Sequence, residues 1–136
     1  MTAEVSHDNP VQTSEPAASS QDVARHHLAA SLGFLIVGVL MLAIASVQYV
    51  APDVLSGWGP VSYGRLRPAA IHFLLYGWLT LGLIGAIYYA VPRLTGEKLT
   101  DPLVARIGFV LMSVGYAAGG VAILAGQSEG GRYLEA

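Results

Sequence analysis

Residues Ala69–Val91 form an apolar run of more than twenty residues that holds one ionisable side chain, His72. A helix rises about 1.5 Å per residue, so a run of this length covers the roughly 30 Å of hydrocarbon in a bilayer. Leu28–Val50 and Val104–Ala125 are two further runs of similar length and character. A lone strand leaves its backbone groups unsatisfied in lipid, so each run predicts a helix. The fold class is an all-α membrane protein with three transmembrane helices, at about 28–50, 69–91 and 104–125.

Composition narrows the function classes. Met1–Ala24 is rich in Ser, Pro, Asp, Glu and Gln and has no Lys or Arg, which predicts a disordered polar tail at 1–24 ahead of a membrane region at 25–136. It lacks the positive n-region and apolar core of a signal peptide. The absence of cysteine excludes disulfides, thiolate metal sites and thiol nucleophiles. A net charge of −2 without a basic cluster excludes nucleic acid as a partner. No Ser-His-Asp set, paired carboxylate site or phosphate-cradling glycine loop occurs, so no catalytic residue is assigned.

The connections are marked by breakers. Pro52, Gly57, Gly59 and Pro60 predict an irregular first loop. Pro92 and Gly96 end the second helix, and Asp101 or Thr100 caps the third. Arg25, Arg93, Lys98 and Arg106 fall on one side of the membrane, against Arg65, Arg67 and Arg132 on the other. The excess of one places the N-terminus in the cytoplasm. Gly82, Gly85, Ala86 and Tyr89 on the second helix, and Gly108, Gly115, Gly119 and Ala122 on the third, form small-residue faces for helix packing.

His72 is the candidate functional side chain. It lies about one turn into the expected second helix, with Tyr76 and Pro68 four residues to either side on the same face. Ionisable groups inside a membrane are costly and enriched for function. Two readings stay open on the residues alone: an axial imidazole for haem iron, or a polar side chain bonded to a carbonyl or water. His26 and His27 are adjacent, so their rings diverge and chelate poorly. They are expected to be solvated at the membrane edge, as Arg106 is expected to snorkel.

Gly64-Arg65-Leu66-Arg67-Pro68, Gly77-Trp78, Gly85, Tyr88-Tyr89 and Arg93 stand in one ungapped register. Together they resemble the second transmembrane helix of subunit I in the haem-copper oxidase superfamily, of the cytochrome-cbb-type oxidase and nitric oxide reductase kind. Gly126–Glu135 is similar to the family's loop after the third helix. The resemblance implies the first three helices of the subunit I bundle. It further implies a low-spin haem b, with His72 as metal ligand and Arg65 and Arg67 binding its propionates. For the arginines, contact with lipid headgroups stands as an equal reading.

Two departures qualify what the resemblance implies. The family's ligand position falls on Ala70, which cannot ligate, and His72 is turned about 200° from it around the helix. The family's remaining ligands lie on later helices, so no binuclear centre can be built from these residues. The expectation is an N-terminal portion, or short homologue, of an oxidase subunit I in the inner membrane, serving respiratory electron transfer to oxygen and inactive alone. Its partners are lipid and the other helices or subunits of the complex. The alternative is a non-catalytic packing or assembly subunit.

Overall fold

The computed structural model describes residues 15–55, 57–96 and 101–127. Among them are three helices long and apolar enough to cross a membrane, and no strand. Helix α1 is Glu15–Val50, α2 is Tyr63–Thr95 and α3 is Pro102–Leu124. His7, Lys98, Thr100, Arg132 and most of the loop expected at Gly126–Glu135 lie outside the described residues.

Helix α1 starts at Glu15, not near Leu28, so residues 15–24 of the expected disordered tail are helical. The reason is a stripe at helical spacing. Ser20, Val23, Ala24, His27 and Ser31 are all buried, and they extend the packed face of α1 a further two turns. Composition averaged over the tail conceals that stripe, because its members are small or polar.

Helix α2 runs antiparallel to α1, and its residues interlock with those of α1 from one end to the other. A Cβ on Gly38 would lie 2.9 Å from Leu74 Cγ and 3.4 Å from the Ala70 carbonyl. One on Gly77 would fall against the ring of Phe34, within 2.7 Å of Phe34 Cβ. Gly82 faces Ser31, and Gly85 faces His27 and Leu28 at 3.0 Å. Lipid supplies no hydrophobic drive between helices, so this close approach through small residues is what joins them.

In the middle of α2, Phe73–Thr80 winds as a π-helix, the wider form whose bonds reach back five residues instead of four. The Thr80 hydroxyl makes the same five-residue step, donating to the Leu75 carbonyl at 3.1 Å. The helix also begins earlier and ends later than the apolar run suggests. Tyr63–Pro68 forms its first turns, and Pro92 lies inside it. The stop is Gly96, whose φ of 71° is left-handed and whose amide bonds the Pro92 carbonyl.

Asp101 caps α3, its Oδ1 accepting from the amides of Leu103 and Val104 at 3.0 and 3.4 Å. At the far end, Gly126 at φ 84° lets its own amide reach Ile123 O and that of Gln127 reach Ala122 O. That pair of bonds is a Schellman stop. Most of α3 is exposed: it touches α2 toward its C-terminal end and α1 at Phe109.

Candidate functional site

His72 lies on the face of α2 turned toward α3, the tenth residue of the helix and thus deeper than the sequence implied. Its Nε2 lies 3.0 Å from the Tyr116 carbonyl of α3. A carbonyl oxygen only accepts, so Nε2 carries the hydrogen and, in the neutral ring, Nδ1 keeps the lone pair. Gly119 makes room for the imidazole, since a Cβ there would come within 2.9 Å of both Cε1 and Nε2. The neighbouring Gly120 does the same for the Phe73 ring, which would otherwise meet it. Tyr76 packs on His72 at 5.1 Å between ring centres and on Tyr116 at 6.0 Å.

Arg65, two turns before His72, shares its side of α2. Its Nη1 donates to the Leu124 carbonyl at 3.3 Å, an acceptor that the Schellman bonds leave over. The guanidinium therefore sits at the negative end of the α3 dipole. Arg67 is turned elsewhere. It donates to the Tyr63 hydroxyl at 3.4 Å and lines a groove with Leu42, Ala45, Ser46 and Tyr49 of α1. Of the three residues singled out in the sequence, His72 and Arg65 are brought to one face and Arg67 is not.

Ala70, the position that the ungapped register assigns to the ligand, is 0% exposed and packed into the seam with α1. The 200° offset from His72 is thus the difference between facing α1 and facing α3. An axial imidazole must offer iron an unprotonated nitrogen. As arranged, Nε2 is committed to Tyr116. No group of three metal-binding side chains occurs among the described residues. Through Nε2 the ring does not fit as a haem ligand as it stands, and Nδ1 is its one nitrogen with a free lone pair.

His27 is the residue that sequence reasoning misplaced. It is 1% exposed, not solvated, with Nδ1 2.8 Å from the Val23 carbonyl. Its ring lies between Tyr88 of α2 and Phe109 of α3, at 5.2 and 4.8 Å between centres. The helical spacing Val23–His27–Ser31 was the available signal. His26 is exposed as expected, its Nδ1 held by the Asp22 carbonyl at 2.6 Å. Tyr89 stacks under the Arg93 guanidinium at 4.1 Å, an arrangement suited to an interfacial aromatic.

Comparison with known proteins bears on this geometry. The chain is 33% identical over 106 residues to a nitric oxide reductase subunit of Stutzerimonas stutzeri, covering 77% of this chain and 21% of that protein. It thus spans about a fifth of the length of that curated relative. No solved structure gives a significant match. The family described as cytochrome C and quinol oxidase polypeptide I matches residues 22–134, a stretch that takes in nearly all of the three membrane-length helices. With that match across most of its length, the chain belongs to the subunit I family of the haem-copper oxidases.

Proposed function

We propose that this chain supplies the first three membrane helices of a subunit I-type respiratory oxidase and serves electron transfer to oxygen only together with further helices or subunits. The observation that carries the reading is the family match, which coincides with three consecutive membrane-length helices. Members of the family bind haems and work within multi-subunit membrane complexes. Among the described arginines, Arg25, Arg93 and Arg106 lie at one end of the bundle and Arg65 and Arg67 at the other. That balance supports a cytoplasmic N-terminus in the inner membrane.

In this reading His72 would hold the iron of a low-spin haem b, and Arg65, which shares its side of α2, would bind the propionates. Ligation through Nε2 requires the ring to let go of Tyr116. A second reading is favoured by that same bond and by Ala70 in the α1 seam: the chain packs or assembles a respiratory complex without holding haem.

One experiment separates the two readings. The tagged chain is recovered from its native membranes with bound partners, and the reduced-minus-oxidised spectrum is recorded for wild type and His72→Ala. A low-spin haem signal lost in the variant supports ligation. A signal unchanged in the variant supports assembly without ligation, and recovery of no haem protein sinks both. The chain alone in detergent is expected to show no six-coordinate spectrum and to consume no oxygen. An intense Soret band abolished by His72→Ala would reverse that expectation.

A further inference from the structure

We propose that the cleft between α1 and α3, at the end of the bundle where Asp101 caps α3, holds the phosphate headgroup of an anionic phospholipid. The cleft is open-sided, about 420 Å³ in volume, and lined by Val23, His26, His27, Arg106, Phe109 and Val110. Its polar lining is two imidazoles and a guanidinium, with no carboxylate. The nearest acidic side chains on the same helices are outside it. Asp22 is exposed one turn before His26, and Asp101 is committed to the first amides of α3.

Arg106 is available in a way that most of the described arginines are not. Arg65, Arg67 and Arg93 each have a partner, in the Leu124 carbonyl, the Tyr63 hydroxyl and the Tyr89 ring. Arg25 and Arg106 have none among the described residues, and only Arg106 lines the cleft. A planar guanidinium fork matches the oxygens of a phosphate. The wall opposite is held rigid: His27 is 1% exposed, bonded to the Val23 carbonyl and wedged against Phe109. His26 has its Nδ1 engaged as well, 2.6 Å from the Asp22 carbonyl, which leaves Nε2 as the ring nitrogen free to face a ligand.

Position supplies the lipid half of the argument. Arg106 lies four residues beyond the start of α3 at Pro102, or about 6 Å along the helix, from where its long side chain reaches back to headgroup level. Phe109 and Val110 continue the cleft toward the apolar middle of α3, where an acyl chain would run. A charged rim above an apolar floor suits an amphipathic anion better than a free one.

The test is native mass spectrometry of the full chain in detergent, titrated with short-chain phosphatidylglycerol or phosphatidylcholine. Phosphatidylglycerol is expected to be retained at least fivefold more than phosphatidylcholine, whose cationic choline opposes Arg106. Arg106→Gln should lower its retention to the phosphatidylcholine level, and His26→Gln by about half that loss. Arg25→Gln, one residue outside the lining, should leave it unchanged. Far-UV circular dichroism checks that each variant keeps its helices, and Arg106→Lys should recover part of the binding. Equal retention of the two lipids overturns the proposal in favour of acyl-chain adhesion. Equal losses in Arg25→Gln and Arg106→Gln overturn it in favour of diffuse surface charge, and displacement by equimolar inorganic phosphate assigns the cleft to free phosphate.

Discussion

The two seams of the bundle are built on different principles. Between α1 and α2, shape does the joining: Gly38, Gly77 and Gly85 each receive a side chain of the other helix, and the pattern repeats from end to end. Between α2 and α3 the bonds are polar and few. His72 and Arg65 both donate to α3 carbonyls, Gly119 and Gly120 accept two rings, and the rest of α3 is uncovered. The first seam is a continuous van der Waals contact that needs no partner. The second is a pair of clasps near one end of α3, whose other end is held against α1 instead, by the His27–Phe109 wedge. A bundle with one sealed seam and one pinned seam keeps an outer surface on α3 free for lipid or for more protein.

Substitutions can break this contrast. The largest effect is expected for Gly77→Leu, which drives a side chain into Phe34 and should cost about 1–3 kcal/mol in detergent unfolding followed by circular dichroism. An unchanged midpoint would show that the α1–α2 seam is slack. Gly115→Leu is the matched control: nothing lies within 4 Å of that position, and the change should stay within about 0.5 kcal/mol.

Gly120→Val comes next. It should part α3 from Phe73 while leaving α1–α2 intact. Because the chain has no cysteine, engineered pairs across each seam report this separately by their disulfide yield. Loss of yield across both seams would mean that the three helices form one cooperative unit.

His72→Leu sharpens the comparison further. Removing a single interhelical hydrogen bond should cost about 0.6 kcal/mol and lower cross-linking only between α2 and α3. A larger fall, reaching the α1–α2 pair, would argue that the imidazole organises the whole bundle. Arg65→Met is the smallest, about 0.5 kcal/mol or less, seen as faster amide exchange in the last turn of α3. Exchange unaltered there would remove Arg65 from its capping role.

Much of this was legible in the chain itself. The three spans follow from uninterrupted apolar length, and Gly96 and Asp101 end and begin helices for reasons local to the backbone. The family likeness was carried by the register from Gly64 to Arg93. What escaped was relational. His27 looks polar and terminal until Tyr88 and Phe109 are placed on either side of it. The Gly115–Gly119 step looks like a packing motif, but Gly115 faces open space while Gly120, outside the motif, takes up a phenyl ring. Ala70 and His72 differ in partner only once both neighbouring helices are in position. The readings of Arg65 as a propionate contact and as a lipid-headgroup contact both rest on its charge, and only the carbonyl of Leu124 reveals the helix cap.

The wide winding at Phe73–Thr80 has a consequence for the phasing of α2. A helix that takes in one surplus residue has its far half turned by about 100° relative to an unbroken α-helix. His72 on the near half and Gly85 on the far half meet their separate neighbours with that extra turn between them. Deleting one residue within that stretch would straighten the winding and point either the imidazole or the glycine at the wrong helix. The segment acts as a gear tooth between two halves of one rod.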